Sequence, residues 1–204
     1  MTAPQQQSAG PGTDTEVPVD ELIASIAVDV PDFPAPGVVF RDLTPVFADG
    51  TAFRRMVGAL AVSPGAEDPR VAALAGGDER PDFDVVAGVE ARGFLLAAAV
   101  ALTAGTGVVP VRKAGKLPRE RVSAEYTLEY GTATLELHTD SVRPGQRVLL
   151  VDDVLATGGT LEAAIALVER LGGVVAGVSV VIELAALGGR QRVAPHPVHA
   201  LWTT

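Results

Sequence analysis

The stretch VLLVDDVLATGGTLEAA, residues 148–164, decides how the rest of the chain is read. It begins as an apolar run of the kind that forms a buried parallel strand, then meets two adjacent carboxylates, Asp152 and Asp153. A turn of small residues follows (Ala156, Thr157, Gly158, Gly159 and Thr160), and a helix is predicted over 160–171, ended by Gly172 and Gly173. In open α/β sheets, ligands bind at the carboxyl ends of strands, beside helix N-termini. Glycines there let the backbone approach closely, and successive N–H groups can form an anion nest. The helix adds about half a unit of positive charge. A phosphate monoester is the natural guest of such a turn, with Thr157 and Thr160 as hydroxyl donors. A Walker A loop is disfavoured, because no lysine follows the glycines.

Two carboxylates beside that turn would repel a bare anion. Something neutral or cationic must therefore face them. The vicinal hydroxyls of a sugar, a Mg²⁺ ion and a developing oxocarbenium ion all meet that condition. The bland reading, one aspartate capping a turn and the other pairing with a base, suits an isolated acidic pair better than this strand–turn–helix context. The stretch reads as a cradle for ribose 5-phosphate.

Working outward, apolar β-rich runs alternate with Ala/Leu-rich segments, the pattern of βαβ units around a buried parallel sheet. Strands are predicted over 84–89, 108–111, 147–151 and 174–182, with a short edge strand over 198–202. A buried helix is predicted over 94–102. Residues 126–138, split by Gly131, read as a β-hairpin or flap. Amphipathic helices are expected over 20–28 and 51–61, the second capped by Thr51. Residues 63–82 form an expected surface loop. The polar, Pro/Gly-rich residues 1–17 are expected to be a disordered tail outside the chemistry, leaving one domain over 18–204.

Composition narrows the function. The apolar runs are broken well before the roughly 18 residues of a membrane span, so no membrane partner is expected. A net charge of −9 without a long basic run disfavours nucleic acid. Positive charge is instead local, in VRKAGKLPRER (111–121), which suits a solvated loop or the seat of a small polyanion. The chain has no cysteine, hence no disulfide and no thiol nucleophile, which fits a cytoplasmic protein. Pro195 and Pro197 argue against His196 and His199 as a helical metal pair, and His138 reads as a surface residue.

VLLVDDVLATGGT resembles the signature of the type I phosphoribosyltransferases, which bind 5-phosphoribosyl 1-diphosphate. Four further stretches resemble the adenine phosphoribosyltransferase family, in that family's order: FPAPGVVFRDLTPVF (33–47), VVAGVEARGFLLAAAVAL (85–102), VPVRKAGKLPRE (109–120) and YTLEYGTATLELH (126–138). The resemblance runs from about residue 20 to residue 192. It implies an α/β fold with a mostly parallel sheet flanked by helices, a flexible β-hairpin flap and a small N-terminal hood. The implied reaction moves a phosphoribosyl group to N9 of adenine, giving AMP and pyrophosphate.

The resemblance also implies roles. Ala156, Thr157, Gly158, Gly159 and Thr160 would bind the 5-phosphate, and Asp152 and Asp153 the ribose hydroxyls and the oxocarbenium-like state. Glu90, Ala91, Arg92 and Gly93, with a cis peptide at Glu90–Ala91, would hold the diphosphate together with Arg112, Lys113 and Lys116. Arg92 counts among the catalytic residues. Phe40 would stack on adenine, Val39 read its amino edge through the backbone, Arg41 lie near N3, and Leu155 form the opposite apolar wall. Glu129 would handle the purine proton, with Tyr130 helping to close the flap. Mg²⁺ would ride mainly on the sugar diphosphate with no protein ligand of its own, and a homodimer is expected. Another purine base is the nearest alternative, although a 6-oxopurine usually calls for a lysine that VVFRD lacks. A nucleic-acid-binding regulator of the same fold is the more distant one.

Overall fold

Residues that alternate between two buried faces build the centre of this protein. The computed structural model describes residues 17–33, 35–62, 81–128 and 131–204. The predicted runs become β3 (Val85–Val89), β4 (Gly107–Lys113), β7 (Arg147–Leu155), β8 (Val174–Glu183) and β9 (Val198–Thr203), all parallel. Along β7, Val148 and Leu150 pack into one core cluster while Leu149 and Val151 pack into the other. That two-residue period with both faces buried is what reads in sequence as an unbroken apolar run.

Helices α4 (Arg92–Ala104) and α5 (Gly159–Arg170) cover the two faces. On the α4 side, α1 (Val19–Ile26) and α3 (Gly50–Leu60) add Ile23, Met56 and Leu60, each with no exposed surface. A hairpin of β5 (Arg121–Leu128) and β6 (Gly131–His138) extends the sheet antiparallel. It joins β4 through only Arg112↔Glu136 and Lys113↔Leu135. The full order is β5-β6-β4-β3-β7-β8-β9. The chain leaves β3 for β4 on one side and returns as β7 on the other. The crevice beyond the carboxyl ends of β3 and β7 is therefore the topological switch point, where a ligand belongs.

A separate two-stranded sheet, β1 (Val28–Pro31) and β2 (Val39–Asp42), pairs from Val28↔Asp42 to Pro31↔Val39. It corrects the helix expected over 20–28, which ends at Ile26 so that Val28 can open β1. Two other differences shape the frame of the site. The cap of α3 is Asp49, whose carboxylate accepts from the N–H groups of Thr51 at 2.9 Å and Ala52 at 2.8 Å, so Thr51 is a recipient of the cap. Strand β7 runs on through the acidic pair to Leu155, held by β8 pairs as far as Leu155↔Glu183. The predicted stop at Gly172 holds, with Gly172 at φ +81° and the Gly173 N–H bonded to Val168 O at 3.0 Å. Short helices α2 (Thr44–Ala48) and α6 (Gly189–Arg192) complete the described elements, with a 3₁₀ turn at Ala185–Leu187. Residues 1–16 of the tail expected over 1–17, and nearly all of the expected 63–82 loop, lie outside the described residues.

Candidate active site

Close packing of α4 on β7 sets the first part of the site. A Cβ at Gly93 would stand 2.9 Å from Asp152 Oδ1 and 3.0 Å from Val151 O, so only glycine lets the first helical turn settle there. That seating brings Arg92 Nη2 to 2.7 Å from Asp153 Oδ2. The approach is an ion contact without hydrogen-bond alignment, for Asp153 Oδ2 is buried and has no hydrogen-bond partner among the described residues. Next to it, the Asp153 N–H donates to Asp152 Oδ1 at 2.9 Å. Burial, and then the charge of Asp153, push the Asp152 carboxyl well above the usual carboxylate range. The pair thus divides. Asp153 faces a cation with one lone pair unused, while Asp152 resists ionisation.

At the end of β3 the Glu90–Ala91 peptide is cis, as the resemblance implied. The Glu90 carboxylate collects Arg112 Nε at 3.2 Å, the Lys113 N–H at 3.0 Å and the Lys116 ammonium. The Lys116 contact, chiefly, holds it down at about 2 against the opposing cost of burial. Its side chain therefore organises the basic cluster, while the diphosphate role that the resemblance implies for this segment is one of its backbone and Arg92. Glu136, another buried carboxylate, takes the Gly115 N–H and Arg121 Nε, each at 3.0 Å. Arg112 also stands over the Phe94 ring, 5.8 Å from its centroid. The Lys113 side chain is exposed.

The small-residue turn lies between β7 and α5. Gly158 sits at φ +83° as the N-cap, and a Cβ on it would meet Gly189 O at 2.8 Å. The first bond of α5 runs from the Glu162 N–H to Gly158 O at 2.9 Å. The N–H groups of Gly159, Thr160 and Leu161 precede it and have no acceptor within the helix. With Ala156 and Thr157 leading in and Thr160 half-exposed, the turn offers the donors that a phosphate monoester takes.

Above these lies the hood. Phe40 on β2 has Phe33 edge-on at 5.2 Å and the Arg92 guanidinium 5.0 Å from its ring centroid. Val39 beside it is 57% exposed. Arg41 Nε bonds Asp29 Oδ1 at 3.2 Å across the hairpin. Leu155 is a correction. It has no exposed surface and packs in the α5-side core, while Val154, half-exposed, is the apolar residue next to the acidic pair. Glu129 and Tyr130 lie outside the described residues, so their expected flap roles find no geometry here. The hairpin that carries them lies against the small-residue turn, for Thr127 O is 3.2 Å from where a Gly159 Cβ would stand.

The model of the phosphoribosyl transferase domain matches residues 76–196. Adenine phosphoribosyltransferase of Salinispora tropica is 58% identical over 183 residues, 90% of each chain. The chain belongs to the adenine phosphoribosyltransferase family. Its type I phosphoribosyltransferase fold agrees with that of adenine phosphoribosyltransferase from Thermoanaerobacter pseudethanolicus, at a TM-score of 0.79 and 45% identity over 90% of this chain and 99% of that one. The Saccharomyces cerevisiae adenine phosphoribosyltransferase, solved with adenine and an iminoaltritol bisphosphate, has a TM-score of 0.79 and 34% identity, covering 90% of this chain and 98% of that one.

Within an adenine phosphoribosyltransferase frame, sequence reasoning missed Phe33, Val154 and the organising carboxylate Glu136. Phe33 opens a quoted motif, but its approach to Phe40 depends on β1 pairing with β2. Two four-residue strands leave too faint a period to reveal that pairing.

Proposed function

We propose that this chain transfers the phosphoribosyl group of 5-phosphoribosyl 1-diphosphate to N9 of adenine, releasing pyrophosphate and AMP. The observation that carries the reading is the buried Asp153, whose Oδ2 meets Arg92 without a hydrogen bond, close in sequence to the donor-rich turn at Ala156–Thr160. In this reading the turn takes the 5-phosphate, and Asp152 and Asp153 accept from the ribose hydroxyls. The C1–oxygen bond to the diphosphate breaks as the N9–C1 bond forms, and negative charge at Asp153 stabilises the cationic sugar between them. Arg92, Arg112 and Lys116, gathered by Asp153 and Glu90, stand where the diphosphate leaves. Phe40, Phe33 and Val154 give adenine its apolar walls. Glu129 on the flap is proposed to accept the N9 proton, and Tyr130 to help exclude water.

Among the described residues no three His, Asp or Glu side chains stand together to cage an ion. The free lone pair of Asp153 instead fits a hydroxyl or water in the shell of a Mg²⁺ ion that arrives with the diphosphate. Such an ion would supply neutralising charge to the leaving group. A homodimer is also proposed, supported by Leu95 at 58% and Leu102 at 84% exposure on one face of α4. No described helix is long and apolar enough to cross a membrane. A cytoplasmic setting rests on the absence of cysteine.

The test is product formation by the purified protein with Mg²⁺, the sugar diphosphate and each purine base in turn. AMP from adenine, with little product from hypoxanthine or guanine, is expected. No product from any base, with the sugar diphosphate still binding, would overturn the enzymatic reading.

A further inference from the structure

Trp202 is the only tryptophan in the chain and lies on β9, the last strand of the main sheet. Its ring carries the Arg41 guanidinium, whose Cζ is 4.4 Å from the ring centroid. Arg41 belongs to the other sheet, where its register partner Asp29 takes its Nε at 3.2 Å. The guanidinium is thus gripped on its face by an indole and on its edge by a carboxylate. Its Nη1 is buried and has no acceptor among the described residues. A buried N–H without an acceptor is a free-energy cost unless a ligand completes it. Here the loose donor sits on Arg41, the residue after Phe40 on β2.

We infer that Trp202 is a positioning residue for the base site. It fixes the plane of the Arg41 guanidinium so that Nη1 donates to a ring nitrogen of the purine. An indole face orients a planar guanidinium, and an aliphatic side chain in its place would leave the fork free to rotate. Trp202 stands in register with Ile182 on β8, and Ile182 with Val154 on β7, so a row of side chains across the sheet runs from the donor's seat to Val154. The inference rests on the base-site reading proposed above. A merely structural alternative exists: the contact could serve only to dock the hood on the sheet. That role would affect every substrate alike.

Kinetics and fluorescence separate the two. Trp202→Leu is expected to raise the KM for adenine about threefold to tenfold, while kcat and the KM for the sugar diphosphate stay within about twofold. Trp202→Phe should recover most of the loss. In an Arg41→Gln background, Trp202→Leu should add no further rise, because it acts through the arginine. As the sole tryptophan, Trp202 should also show a saturable fluorescence change when adenine is titrated into the wild-type protein. An unchanged adenine KM in Trp202→Leu, equal rises in both KM values, full additivity with Arg41→Gln, or a flat titration would each overturn the inference. Failure of the wild-type protein to form AMP would instead overturn the base-site reading itself, so the two failures are distinct.

Discussion

Arg92 and Asp153 meet at 2.7 Å across the junction of α4 and β7, charge against charge but out of line for a hydrogen bond. The same guanidinium stands over Phe40 of the hood. One cation therefore touches the groups assigned to the sugar and to the base. An anionic leaving group would compete for that cation, and the Asp153 carboxylate would then be freed toward the sugar as positive charge develops there. Asp153→Asn keeps the size and the acceptor but removes the charge. Its expected effect is a fall in kcat of about a hundredfold with little change in Tm. Calorimetry and steady-state kinetics on the same preparation check this, and equal loss of both would make the aspartate structural.

Asp152 carries the opposite expectation for stability. Its carboxyl is raised by burial and by the neighbouring Asp153 charge, so the folded protein holds that proton more tightly than the unfolded chain does. Stability from this group is fully present below the unfolded pKa, about 4, and is lost as pH rises toward the higher folded value. Asp152→Asn cannot ionise and escapes that loss, and its amide oxygen can still accept from the Asp153 N–H. The variant should be more stable than the wild type by about 1–2 kcal/mol at pH 8, with the advantage shrinking as pH falls. Thermal unfolding from pH 5 to pH 8 measures it. A gap that does not change with pH would refute the assignment.

What the sequence disclosed, and what it hid, follows from how local each signal is. Strands β3, β7 and β8 were legible because burial on both faces writes itself into consecutive residues, and β4, buried on one face, because its valines at 108, 109 and 111 fall close together. The small-residue turn was legible because φ +83° at Gly158 favours glycine, and because small residues are needed where α6 presses on it. The hood was implied by the resemblance, but its strands were hidden, since they become visible only once Val28–Pro31 finds Val39–Asp42 across an intervening turn. Leu155 was misplaced for a related reason. The acidic pair looks like the end of a strand, yet β8 carries the pairing two residues further and turns Leu155 into the core. Glu90 was legible as part of a motif but not as the carboxylate that assembles Arg112 and Lys116, because those partners come 22 and 26 residues later.

Gly189 supplies the last prediction, since nothing assigned to it involves substrate. A Cβ there would lie 2.2 Å from Ala156 O, 2.7 Å from Leu155 Cδ1 and 3.0 Å from Gly158 N. Two of those atoms belong to the backbone of the phosphate turn and cannot rotate away. Helix α6 is therefore the floor on which the turn rests, and one methyl group would lift it. For Gly189→Ala we expect a loss of about 2–3 kcal/mol in stability, the usual result of forcing extra volume into a packed interior. The displaced N–H groups should also weaken ribose 5-phosphate binding about tenfold or more, while pyrophosphate, held by Arg92 and the Glu90 cluster, binds nearly as before. Titration calorimetry with the two ligands separately reads the difference. Equal weakening of both would mean that the methyl group disturbs the whole site, and unchanged ribose 5-phosphate affinity would mean that α6 is not the floor of the turn.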